Sequence, residues 1–102
     1  MVVGWLRISL RLPGIGSLKE KRHLLRSVLD RMGRERMVAA AEVGDHDLWG
    51  NAEIGVGTVA GDAIQVERLL QWAEESIASE PRWEVLSVER SIEPFSPMEP
   101  ES

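Results

Sequence analysis

Cysteine is absent from the chain, which excludes a disulfide frame, a thiolate zinc site and a thiol nucleophile. Two histidines are too few for a multi-histidine metal cage. Tyrosine is also missing and phenylalanine occurs once, so the aromatic surface rests on four tryptophans whose positions matter individually. No apolar run approaches the roughly 20 residues of a membrane span. The N-terminus opens on Val2-Val3-Gly4-Trp5-Leu6 without a basic leader, so a cytoplasmic protein with no membrane partner is expected.

What remains is a chain of 102 residues, 43% apolar and 28% charged, enough for one compact domain and no more. The net charge of −5 hides an asymmetry. Residues 1–45 carry nine Lys/Arg and five Asp/Glu, a balance of +4, whereas residues 46–102 carry three and twelve, a balance of −9. Wholesale coating of nucleic acid is disfavoured by that total, and no DNA partner is expected, but a local cationic stripe can still meet phosphates. Alternatively, basic and acidic elements neutralise one another inside the domain.

Residues 2–12 alternate, with Leu6, Ile8, Leu10 and Leu12 on one face and Trp5, Arg7, Ser9 and Arg11 on the other, which predicts a half-covered strand. Pro13-Gly14-Ile15-Gly16 breaks it. Ser17 and Glu20 stand as a capping box before a helix with Leu18, Leu25, Val28, Leu29 and Met32 on its apolar stripe, and Gly33 is the expected stop. Residues 37–43 and 52–60 read as strands around a loop at 44–50, the second placing Ala52, Ile54, Val56 and Thr58 on one side and Gly55 and Gly57 on the other. Gly61-Asp62 caps a second helix bearing Val66, Leu69, Leu70, Ala73 and Ile77, with Trp72 flanking its core face. A last strand over 83–92 is expected to bury Leu86, Val88 and Ile92.

The order β-α-β-β-α-β in so short a chain, with right-handed crossovers, predicts a ferredoxin-like α+β sandwich: a four-stranded antiparallel sheet with two helices on one face. The domain is expected over residues 1–93, with 94–102, rich in Pro and Glu, as a flexible tail. In this topology residues 13–22, 44–50 and 81–83 gather along one rim of the sheet.

Two segments on that rim resemble the bacterial YlxP-like family: Ser17-Leu18-Lys19-Glu20-Lys21-Arg22 after Leu12-Pro13-Gly14, and Ala41-Glu42-Val43 followed by Asp47-Leu48-Trp49. The resemblance covers residues 1–93 and departs from the family pattern around Gly44 and at Gly50. It implies the ferredoxin-like fold and a genomic setting beside translation-initiation and ribosome-maturation factors, with no catalytic residues to carry over.

Several constellations invite a function. Gly14 and Gly16 allow close backbone approach, and the helix beginning after Ser17 offers free N–H groups and a positive dipole end to an anion. Lys19, Lys21 and Arg22 would add mobile positive charge there; the same residues also describe an ordinary tight turn with solvated lysines. Lys19 stands where a dinucleotide fingerprint needs its third glycine, and the Walker spacing fails, so neither reading holds. At 100° per residue Lys19, Arg22 and Arg26 share one narrow stripe, with His23 nearby, suited to tracking an RNA backbone unless Asp30, Glu67 or Glu74 consumes the charge.

Asp45-His46-Asp47 is adjacent in sequence and lacks a second ligand cluster, so no metal is expected. In the motif loop Asp47-Leu48-Trp49, Asp47 is expected to cap backbone N–H groups and Trp49 to plug the core. Trp5, beside Arg7 on the uncovered sheet face, suits a contact between subunits better than base stacking, because the third strand offers only Glu53, Gly55 and Gly57 there.

Nothing couples Ser17 to His23 or His46 as a nucleophile to a base, and the acylphosphatase loop of the same fold is missing, so no enzyme and no cofactor are expected. The leading expectation is a binding module that contacts RNA backbone or a ribosomal component. A homo-oligomeric scaffold using Trp5 and Arg7 is the alternative, and a small phosphohydrolase at the glycine turn the weakest.

Overall fold

A computed structural model describes residues 1–95. Its elements run β1 (Val2–Arg11), α1 (Leu18–Glu35), β2 (Ala39–Gly44), β3 (Asn51–Ala60), α2 (Ala63–Ala78) and β4 (Glu84–Pro94). The sheet order is β2-β3-β1-β4, with every neighbouring pair antiparallel. This is the ferredoxin-like arrangement, with both helices on one face of the sheet.

Period-two patterning places the core. Leu6, Ile8 and Leu10 of β1 stand opposite Val56, Ile54 and Ala52 of β3, and all six are buried. Against them α1 lays Leu24, Leu25, Val28, Leu29 and Met32, and α2 lays Val66, Leu70, Ala73 and Ile77. Each large aliphatic side chain so enclosed contributes about 1.5–3 kcal/mol. Gly4 has a steric reason to be glycine: a Cβ there would fall within 2.9 Å of Leu70 Cδ1 and collide with Val66, so α2 rests on bare β1 backbone. Trp72 is half-buried against the core, as expected.

Some boundaries fall elsewhere than the sequence suggests. Gly33 does not stop α1, which continues to Glu35; Arg36 ends it in extended conformation while its N–H still reaches Met32 O at 3.1 Å. Strand β2 begins at Ala39, and Met37 is 82% exposed, its carbonyl accepting from Thr58 Oγ1 at 2.7 Å.

The largest difference is in β4, an edge strand with little cover. A bulge between the Ser9–Ser87 and Leu10–Val85 pairs sets Leu86 out of register, and it is 53% exposed. Val88 is also exposed, leaving Ile92 as the one expected core residue of β4 that packs on the cluster. Strand β4 extends to Pro94, and Phe95 N–H donates to Met1 O at 2.7 Å, which takes the paired chain past the expected domain end. The remainder of the expected tail, 96–102, lies outside the described residues.

Candidate functional site

The rim forms as the topology requires. Arg11, the last residue of β1, stands opposite both Asn51 and Glu84, and Leu12 N–H donates to Gly50 O at 2.8 Å. The ends of β1, the β2–β3 loop and the start of β4 therefore share one border.

Lys21 joins two of these segments, and its role corrects the expectation of a mobile surface cation. Its side chain is 0% exposed. Its ammonium donates to the carbonyls of Asp45 (2.7 Å), Leu48 and Asn51 (3.0 Å). Three carbonyls use all three N–H bonds, so Glu42 Oε2, at 2.7 Å and without a hydrogen bond of its own, serves as counter-charge. Glu42 was not singled out from the sequence, although it lies in one of the two recognised segments. Lys21 is thus a fastener between α1 and the β2–β3 loop and cannot meet an external phosphate.

The glycine turn is also put to another use. Ser17 Oγ accepts from Glu20 N–H and Glu20 Oε2 accepts from Gly16 N–H, both at 3.1 Å, so the chain's own carboxylate fills the place where an anion was expected. The capping box forms, with Glu20 reaching one residue beyond the cap. Neither Gly14 nor Gly16 has positive φ, and open space surrounds both. The turn is held by half-buried Ile15, whose N–H reaches Leu12 O at 3.3 Å. Gly14, Gly16 and Ser17 accordingly form no vacant anion cradle.

In the β2–β3 loop Asp45 takes φ 57°, a left-handed conformation that Asp tolerates, and its carbonyl accepts from Leu48 N–H at 3.0 Å. His46 Nε2 lies 3.2 Å from Glu42 O. Asp47 makes no hydrogen bond among the described residues, and Trp49 is 54% exposed, so neither its capping nor its core-plugging role is realised. The plug is Trp83, 5% exposed, whose indole N–H donates to Ile77 O at 2.6 Å and satisfies a carbonyl at the end of α2. Leu48 and Trp49 stand outward on the loop that Lys21 fastens.

Lys19, Arg22 and Arg26 lie exposed along α1 and, with His23 and Glu20, line a surface groove of about 630 Å³. Shallower relief continues over Ser27 and Asp30 to Arg34. Among the described residues none of the three cations lies within ion-pair distance of a carboxylate. Asp30 does not pair with Arg26, Glu67 takes no partner among the described residues, and Glu74 is engaged at 3.1 Å by Arg90 of β4.

On the open face, Trp5 stands opposite Gly57 and shares a shallow groove with Val43 and Gly55. The charges beside it are internally matched. Arg7 bonds Glu53 and approaches Glu89 at 3.9 Å; Arg11 meets Glu84 at 2.7 Å. The hydrogen bond that Arg7 donates to Glu53, then the charges of Glu53 and Glu89, hold the Arg7 guanidinium more firmly protonated than usual.

Comparison with known proteins places the chain in a wider group. Residues 3–90 match the family described as "Protein of unknown function (DUF503)". The chain is also 35% identical over 77 residues to "Uncharacterized protein YlxP" of Bacillus subtilis (strain 168), an alignment covering 76% of this chain and 78% of that relative.

Proposed function

The chain belongs to the DUF503 family, whose function is unknown, and from its geometry we propose that it is a non-enzymatic binding module that docks on the phosphate backbone of RNA in the translation apparatus. The observation carrying this reading is the unpaired state of Lys19, Arg22 and Arg26 beside paired Arg7, Arg11, Arg82 and Arg90. Carboxylates are plentiful in this acidic chain, yet the cations along α1 remain available to an outside anion. From Lys19 to Arg34 the helix spans roughly 22 Å at 1.5 Å per residue, room for several successive phosphates.

Docking of this kind is electrostatic, with little reading of bases. Affinity for a fully paired RNA hairpin should fall steeply with salt, and the Lys19→Ala/Arg22→Ala/Arg26→Ala variant should flatten the slope of log K against log salt by about three. Binding that ignores salt, or no binding at low salt, would defeat the reading.

A second reading is self-association through the open sheet face. It is favoured by Trp5, 40% exposed beside two glycines, with the neighbouring arginines neutralised within the same chain.

A further inference from the structure

A cleft of about 560 Å³ opens where α1 ends and α2 begins, within the size range of small-ligand sites. Arg36, just past α1, places its guanidinium carbon 5.5 Å from the centroid of the Trp72 ring on α2. Arg36 is exposed, and both it and Trp72 line the cleft. Arg68 lines the same space, and among the described residues neither arginine lies within ion-pair distance of a carboxylate. The Gln65 amide and the Glu35 carboxylate complete the polar wall, and Met37 and Val59 give it an apolar side.

This combination has a definite chemical preference. Two unpaired guanidiniums attract an anion. A planar cation resting on an aromatic ring provides a platform for a flat π-system. Glu35 repels a polyacidic peptide, but it can accept from the amino or imino groups of a base, and Gln65 can both donate and accept. We propose that this cleft holds one unpaired RNA base on the Arg36–Trp72 pair, with Arg68 on the adjoining phosphate. The assignment rests on the RNA reading above and deepens it: the cations of α1 carry the backbone, and the cleft beyond its C-terminal end takes a nucleotide outside the duplex.

Arg36→Lys tests it, because the variant keeps the charge and removes the planar surface at an exposed position. The probes are a short single-stranded oligoribonucleotide and the same strand annealed to its complement, followed by fluorescence anisotropy. Single-strand affinity should drop about tenfold while duplex affinity stays within twofold. Trp72→Phe, which retains a smaller ring, should weaken the single strand less than Arg36→Lys does. An unchanged single-strand affinity in Arg36→Lys overturns the proposal, and so does an equal loss on both probes, which would report a disturbed surface. A polyglutamate peptide that competes as well as the single strand would reassign the cleft to acidic protein segments. Failure of the wild-type chain to bind the duplex at low salt would instead overturn the backbone reading, so the two failures are distinguishable.

Discussion

A lysine withdrawn from water must recover the hydration it loses, and Lys21 does so with three carbonyls and a nearby carboxylate. Replacing it by methionine fills much of the same volume but takes the ammonium away from the Leu48 and Asn51 carbonyls and from Glu42, and leaves Asp45 O with Leu48 N–H alone. We expect Lys21→Met to lose about 3–5 kcal/mol of stability, read from the urea midpoint. A midpoint equal to that of the wild-type chain would show the ammonium to be dispensable. The role was partly legible in the sequence: Lys21 precedes Leu25, Val28 and Met32 at steps of four, three and four, which puts it on the apolar stripe. Its neighbours Lys19, Glu20 and Arg22 obscure that pattern by making the turn look wholly solvated. Its partners are backbone oxygens of a loop 24 to 30 residues away, and side-chain patterning carries no sign of those.

At the scale of elements, the turn from α2 into β4 depends on Glu80, which accepts from both the N–H and the guanidinium of Arg82 across Pro81. The hydrogen bond to Arg82 holds the Glu80 carboxyl below its ordinary range, and partial burial opposes the shift. A folded pKa below the unfolded one stabilises the fold above the unfolded value, and that contribution is lost as pH falls through the folded value. The gap in melting temperature between wild type and Glu80→Gln should therefore be present at neutral pH and close in acid. It should be small, because Arg82 is 59% exposed and solvent screens the pair. A gap constant across the acid range would refute the assignment. The caps Ser17 and Asp62 and the inward faces of β1 and β3 were legible, because capping chemistry and strict alternation are local signals. Strand β4 was less so. Alternation marks Leu86 and Val88 as inward, but edge position and a bulge are properties of the assembled sheet.

For the molecule as a whole, the split between a basic front half and an acidic rear half is only partly cancelled. Rear-half Glu53, Glu84 and Glu89 neutralise Arg7 and Arg11 across the open face, and none of them reaches the outer side of α1. Internal pairing therefore explains the sheet and leaves the helix charge unaccounted for. If two copies meet through the open face, Trp5→Glu should sediment as a monomer with unchanged circular dichroism while the wild-type chain sediments as a dimer. A monomeric wild-type chain would remove that second reading. The meeting of residues 13–22 with 44–50 at one border followed from element order alone. The cleft at Arg36 and Trp72 did not, since nothing in the spacing of two residues 36 apart brings them together.

One ammonium serving oxygens of residues 45, 48 and 51 fixes the arc of main chain between them like a tripod. An inserted or deleted residue there would pull at least one leg away, so the tip should accept changes of side-chain type far more readily than changes of length. Leu48 and Trp49 can then be exchanged to alter what the tip touches while the backbone that presents them keeps its course.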